Sequence, residues 1–131
     1  DVIPTHFGSS GKPDGWGSKT SLVYVTGTGV VLYIAMFILS RYPHLYNYPW
    51  EITEDNAEIQ YRMASAFMNG LATGIAWIFL YMTWQTIQTA LGNANGLGGG
   101  FLFVALFLTL GPLVLYLFVA GQARNRYPNK R

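Results

Sequence analysis

Two long uncharged stretches dominate the pattern of polar and apolar positions along the chain. Residues 20–40 and residues 63–123 contain no Asp, Glu, Lys or Arg. Most of the surface of a small soluble domain meets water, so uncharged stretches of this length indicate helices in a lipid bilayer. The pattern predicts an all-α multipass transmembrane helical bundle. Its three spans lie at about residues 20–40, 63–91 and 101–121.

The second helix is expected to begin before the membrane. The pattern predicts it over about residues 54–91, which is roughly 57 Å, against a hydrocarbon thickness of about 30 Å. Its first two turns should therefore lie in water. Asp55 and Glu58 resemble a capping box, and Glu58 and Arg62 have the i,i+4 spacing of an ion pair.

Polar groups and helix breakers inside the spans carry further expectations. Amides inside a span usually form hydrogen bonds across helices. The sequence places such amides at Asn69, Gln85 and Gln88. The third span is expected to be kinked or loosened near Gly111-Pro112, because proline has no N–H to donate.

The other segments are expected to form loops of a single membrane domain covering residues 1–131. Residues 1–19 and residues 92–100 are rich in glycine and polar side chains, and neither segment shows a helical or strand period. Residues 41–62 form an aromatic connection, and residues 122–131 form a basic tail. The chain begins at Asp1 rather than Met, so a preceding segment is expected.

Charge placement predicts an orientation. Positive charge in short loops marks the cytoplasmic side of a membrane. The connection 41–62 and the tail 122–131 carry six Lys and Arg, whereas segment 1–19 and loop 92–100 carry two. The tail and the connection are therefore predicted to be cytoplasmic, and segment 1–19 is predicted to be external.

Composition excludes several classes of protein. With no Cys, the chain has no disulfides, thiolate metal sites or cysteine nucleophile. Only 11% of the residues are charged, which argues against a disordered protein. The net charge of +2 comes from mostly scattered cations, so no nucleic acid partner is predicted.

Two sequence blocks resemble a known family. The first is Pro4-Thr5-His6-Phe7-Gly8 followed by Gly11-Lys12-Pro13-Asp14-Gly15-Trp16-Gly17-Ser18-Lys19. The second is Tyr48-Pro49 followed by Ile52-Thr53-Glu54-Asp55-Asn56-Ala57-Glu58 and Gln60-Tyr61-Arg62. Together they resemble the SdpI-like bacterial membrane protein family with its associated domain of unknown function. The resemblance implies a protein of the bacterial plasma membrane, with one more span before the first block. For the best-known member of the family, it also implies peptide immunity and signalling through a cytoplasmic regulator.

Two groups of residues are candidates for contacts with partners. The external group, which could meet a peptide ligand, is His6, Gly11, Pro13, Asp14, Trp16 and Lys19. The cytoplasmic group, which could dock a basic partner, is Glu54, Asp55, Asn56, Glu58 and Arg62. The competing interpretations are local: Asp14 and Lys19 hold the loop in place, and the acidic residues open a helix.

No catalytic or metal site is predicted. An enzyme needs a nucleophile, a base and oxyanion donors within mutual reach, and no spacing ties a hydroxyl to His6. A metal site needs about three protein ligands, and His6 with Asp14 supplies two. No cofactor is predicted either. The alternatives to an immunity or signalling protein are an accessory structural subunit of a larger membrane complex and a membrane transporter or enzyme.

Overall fold

The computed structural model describes residues 2–126, with side chains as far as Arg124. Three of its helices are long and apolar enough to cross a membrane, which confirms the predicted all-α multipass bundle. The predicted spans agree with these helices to within a few residues, except that the third helix runs on into the predicted basic tail. Residues 127–131 of that tail lie outside the described residues. The elements in order are β1 (Val2–Phe7), β2 (Pro13–Ser18), α1 (Ser21–Leu39), a 3-10 turn (Pro43–Leu45), α2 (Ala57–Ala90) and α3 (Phe101–Arg126).

The prediction that residues 1–19 lack regular structure is wrong. Strands β1 and β2 form an antiparallel hairpin in which Val2 lies opposite Ser18 and His6 lies opposite Gly15. Glycine and proline have low strand propensity, and β2 contains two glycines and one proline, so the local sequence carries little strand signal. The hairpin instead depends on contacts with α2 and with the loop between α2 and α3.

Helix α1 packs on α2 where a glycine permits close approach. Gly29 is buried in α1, and a Cβ atom built there would lie only 2.7 Å from the Cβ atom of Phe79 in α2. The hydroxyl groups of Thr26 and Thr83 are 3.2 Å apart and join the same two helices. Small residues let helix backbones approach closely. In a bilayer, such close packing drives helix association, because apolar side chains gain little by leaving the lipid.

Helix α3 packs on α2 through a second glycine contact. A Cβ atom at Gly74 would lie 2.8 Å from the carbonyl oxygen of Leu108. That carbonyl is the one that residue 112 would bond in a regular helix, and Pro112 has no N–H to donate. Helix α3 continues through Pro112. The loosening expected at Gly111-Pro112 therefore consists of one missing helical hydrogen bond, at the carbonyl of Leu108. Ring stacking between Phe67 and Tyr116, at 4.9 Å, extends this interface.

The start of α2 differs from the predicted capping box. The helix begins at Ala57, and Asn56 at its N-cap makes no side-chain capping bond. Instead, the backbone N–H of Thr53 donates to Oδ1 of Asn56, and Nδ2 of Asn56 donates to the carbonyl of Glu51. The buried Asn56 therefore ties the preceding connection together. In this part of the described chain, Glu58 and Arg62 form no ion pair, so that expectation is also wrong.

The amides in α2 also bond differently from the prediction. Asn69 donates to the carbonyl of Ser65, Gln85 donates to the hydroxyl of Tyr81, and Gln88 accepts from Asn93. All three bonds stay within α2 or reach the residues just after it. The amide that bonds across helices is that of Gln60, whose Nε2 donates to the carbonyl of Ala120 in α3 at 3.1 Å.

Candidate functional site

The turn of the hairpin is locked onto the loop that joins α2 to α3. The backbone N–H of Leu97 donates to the carbonyl of Gly11 at 2.7 Å. Gly11 is buried and has a φ of 76°, and a Cβ atom there would overlap the carbonyl group of Gly98. The carbonyl of Leu97 accepts a hydrogen bond from the Tyr81 hydroxyl at 2.9 Å. The hairpin is thus connected to α2 through a short chain of hydrogen bonds.

Two glycines of β2 make room for the side chains of β1. A Cβ atom at Gly15 would lie 2.9 Å from the Cβ atom of His6, and one at Gly17 would lie 3.0 Å from Cγ2 of Thr5. His6 and Thr5 therefore lie directly over β2. The glycines are required for close packing between the strands, since neither has a positive φ angle.

His6 and Asp14 form an exposed ion pair on the hairpin. Nδ1 of His6 contacts Oδ1 of Asp14 across the hairpin, and the two side chains are 73% and 53% exposed. A carboxylate at Nδ1 favours a proton on that nitrogen and leaves Nε2 as the second ring nitrogen for an external contact. No group of three or more metal-ligating side chains occurs in the described part of the chain.

Trp16 adds an exposed aromatic surface to the same hairpin. Its side chain is 57% exposed, and Asp14, two positions earlier on β2, is exposed as well. Side chains at i and i+2 of a strand lie on the same side. The indole of Trp16 and the carboxylate of Asp14 thus lie on the same exposed side of β2. A ligand at this side could stack on the indole and form a hydrogen bond with the carboxylate.

The remaining external candidates occupy supporting positions. Pro13 is half-buried and pairs with Phe7, and the exposed Lys19 lies just before α1. Beneath the hairpin lies a cavity of about 290 Å³ between β1, α1 and α2. Ile3 and Pro4, at its upper wall, are buried. Ile3 and Pro4 therefore anchor the hairpin, and His6, Asp14 and Trp16 stay exposed.

The opposite end of the molecule contains the acidic candidates and a buried polar cluster. Glu54, Asp55, Glu58 and Arg62 are exposed, as a docking surface requires. Asn56, at 3% exposure, is an internal connector. Three side-chain atoms close to these residues in sequence are buried without a hydrogen-bond partner. They are Nε1 of Trp50, Oγ1 of Thr53 and Oε1 of Gln60.

Tyrosines pack around this end. The ring of Tyr48 lies 6.0 Å from that of Tyr61, and its hydroxyl donates to the carbonyl of Pro43 at 2.9 Å. Burial is the largest cause that raises the pKa of the Tyr48 hydroxyl, and nearby tyrosines add to it. Burial also raises the pKa of Tyr46. Both hydroxyls therefore stay neutral and bonded well above neutral pH.

Sequence reasoning missed two structurally important groups. Gln60 was recognised only as part of a motif, although it is fully buried and holds α3. The glycine-rich segment 92–100 is predicted only as a loop between helices, although Leu97 is buried and its N–H donates to the hairpin turn. The signal available in the sequence was a single leucine between glycines, an apolar side chain in an otherwise polar loop.

Comparison with known proteins gives one match, which covers the hairpin part of this site. A family model described as a domain of unknown function (DUF1648) matches residues 1–27, which cover the hairpin and the start of α1. No curated protein matches the chain, and no solved structure matches it. The match and the three apolar helices together indicate a membrane protein whose function is unknown.

Proposed function

We propose that this protein is a non-catalytic membrane receptor of the immunity or signalling type, which contacts an external peptide with its hairpin. The observation that carries the proposal is the exposed His6–Asp14 pair beside the exposed Trp16 on an anchored hairpin. An exposed ion pair contributes little to stability, so its position on a hairpin that is packed closely through glycines favours a role in contact. This role corresponds to that of the best-known member of the SdpI-like family, which the two sequence blocks resemble.

The proposed orientation follows from the positive charges. The hairpin and loop 92–100 lie at one end of the bundle, joined by the Leu97–Gly11 hydrogen bond. The connection 41–62 and the C-terminal part of α3 lie at the other end, joined by the Gln60–Ala120 hydrogen bond. The second end carries the larger number of cations, which supports its assignment to the cytoplasm of a bacterial cell. A cytoplasmic regulator would then meet Glu54, Asp55 and Glu58.

A labelling experiment tests the orientation. The chain has no cysteine, so single substitutions Ser10→Cys and Asn47→Cys give unambiguous reporters at exposed positions. In intact cells, an impermeant maleimide should label the cysteine at position 10 and should reach the one at position 47 only after lysis. Labelling of position 47 in intact cells, with position 10 protected, would reverse the assignment of the two ends.

A protection experiment tests the function. Expression of the chain alone should protect a strain that is sensitive to a secreted killing peptide, and His6→Ala or Asp14→Ala should abolish protection without loss from the membrane. Ser9→Ala, at an exposed position in the hairpin turn, is the matched control and should retain protection. Protection that survives both substitutions would reject the contact role of the ion pair.

An accessory subunit of a larger complex is the second candidate. It is supported by an open apolar groove between α2 and α3, of about 610 Å³. A structural subunit should co-purify with partner proteins in mild detergent at fixed stoichiometry and should confer no protection. A membrane transporter or enzyme has no comparable support, because the described spans contain no ionisable cluster.

A further inference from the structure

The groove between α2 and α3 has a floor of small residues and apolar walls. Ala66 and Gly70 line it from α2, Gly111 lines it from α3, and Phe67 and Phe107 stand beside them. A Cβ atom at Gly70 would meet no atom within 4 Å, so the groove is open at that point. Within a bilayer, an apolar groove of this kind is filled by an acyl chain or by another helix.

A cation lies on the helical row that forms the floor. Arg62, Ala66 and Gly70 follow one another at intervals of four, so they share a face of α2. Arg62 is exposed, and among the described residues its guanidinium has no ion-pair partner. The apolar groove therefore leads along α2 to an available positive charge.

The contacts between α2 and α3 give the depth of that charge. Gln60 of α2 bonds Ala120, near the end of the apolar part of α3. Arg62 is two residues, or about 3 Å, further along α2, so it is level with the last apolar turn of α3. A cation at this depth stands beside lipid headgroups while the groove beyond it stands beside acyl chains.

We propose that this groove is a binding site for an anionic phospholipid of the surrounding bilayer. The acyl chain lies along Ala66, Gly70 and Gly111, and the phosphate meets the guanidinium of Arg62, which suits phosphate geometry. Charge complementarity selects the lipid over a second helix, because a partner helix made of this chain's own apolar segments brings no anion to Arg62. Zwitterionic lipid fills the groove less tightly, because its phosphate charge is offset by its own cation.

Native mass spectrometry of the full chain released from lipid nanodiscs tests the proposal. With equal phosphatidylglycerol and phosphatidylcholine, the chain should retain phosphatidylglycerol preferentially, and Arg62→Gln should lower that preference about fivefold, the effect of one cation near a membrane surface. Arg41→Gln is the matched control, since Arg41 lies at the same end but stacks on Phe37 at 4.8 Å. Equal retention of the two lipids, or equal effects of the two substitutions, would overturn the proposal.

A second pair of variants tests the groove itself. Gly70→Leu fills it and should reduce retention of both lipids, whereas Gly27→Leu places the same side chain at an equally open glycine of α1 and should not. Independently of these variants, a phosphatidylglycerol with a photoactivatable acyl chain should crosslink to residues 63–70 and 107–119 of the wild-type chain. Crosslinks distributed evenly over the three helices would contradict the site. A lipid-free dimer joined through a cysteine introduced at Gly70 would show that a second copy occupies the groove instead.

Discussion

Gly74 of α2 lies directly against the main-chain carbonyl of Leu108 in α3, and a Cβ atom placed on it would be 2.8 Å from that oxygen. The contact has two causes in the sequence. Pro112 leaves the Leu108 carbonyl without its helical N–H donor, and Gly74 offers a backbone without a side chain. Two helix-breaking residues in different spans thus form one interface, in which a Cα–H group can face the free carbonyl.

Gly74→Ala should therefore weaken the packing of α3 on α2. Overpacking of a close interface costs about 1–3 kcal/mol, which exceeds the gain of about 0.5–1 kcal/mol from better helix propensity. Thermal unfolding in detergent, followed by circular dichroism, should show a lower midpoint. Gly70→Ala is the control, because its Cβ atom would meet nothing within 4 Å and its midpoint should stay equal or rise. Equal behaviour of the two variants would contradict the contact.

The lock between the hairpin and the loop can be tested with two glycines of similar φ. Gly11 and Gly92 have φ angles of 76° and 77°, but only Gly11 has neighbours within reach of an added Cβ atom. Gly92→Ala should cost about 1–2 kcal/mol, the usual cost of a side chain in this conformation. Gly11→Ala should cost more, since it also displaces Gly98.

Hydrogen exchange gives the local measurement for this pair. Gly11→Ala should speed the exchange of the Leu97 amide and of the strands at 2–7 and 13–18, because the bond from Leu97 to Gly11 is lost. Gly92→Ala should leave the exchange of the hairpin amides unchanged. A hairpin that exchanges at the same rate in both variants would show that the lock does not hold it.

A carboxyl group in place of the buried Gln60 amide should make the stability of the protein depend on pH. Gln60→Glu introduces a carboxyl group at a fully buried position, where the charged form is strongly disfavoured. Burial should raise the pKa of that carboxyl in the folded protein, so the variant should lose stability as the pH rises above the pKa that the carboxyl has in the unfolded chain. Its unfolding midpoint should therefore be lower at pH 8 than at pH 5. Gln122→Glu, at an exposed position of α3, is the control and should show little change between these pH values.

Ionisation of the Tyr48 hydroxyl should lower the stability of the folded protein at alkaline pH. Burial raises the pKa of its hydroxyl in the folded protein, so the stabilisation is complete below the unfolded value of about 10 and declines as pH rises above that value. Tyr48→Phe should cost about 1 kcal/mol at neutral pH through the lost bond to Pro43, and should make the alkaline decline less steep. The exposed Tyr42 supplies the control substitution Tyr42→Phe, which should leave the decline unchanged. An equal decline in all three proteins would exclude Tyr48 as its source.

The spans could be predicted because their signal is local. An uncharged stretch of about 20 residues identifies a membrane helix whatever it packs against, and α1 and α2 end within a few residues of the predicted limits. The hairpin could not be predicted in this way, because strand β2 takes its stability from distant residues. One such contact is the hydrogen bond from Leu97 to Gly11 in the hairpin turn, which joins positions 86 apart in the sequence.

The candidate site was predicted residue by residue but not as a geometry. His6 and Asp14 were both recognised as external candidates, but their pairing depends on a strand register that only the folded hairpin defines. The orientation of polar side chains could not be predicted from the sequence either. Asn56 was expected at a surface, but it is buried, and its amide is satisfied there by two backbone groups of the preceding connection.

The positions at which α1 and α3 meet α2 have a consequence for the shape of the surrounding bilayer. Thr26 and Gly29 pair with Thr83 and Phe79, so α1, followed to its end at Leu39, stops roughly level with residue 69 of α2. Helix α3 accompanies α2 as far as Gln60. The hydrophobic belt is therefore staggered by roughly 13 Å between the two flanks of α2. A flat membrane of constant thickness cannot match both flanks, so the protein must tilt or locally thin the lipid around it.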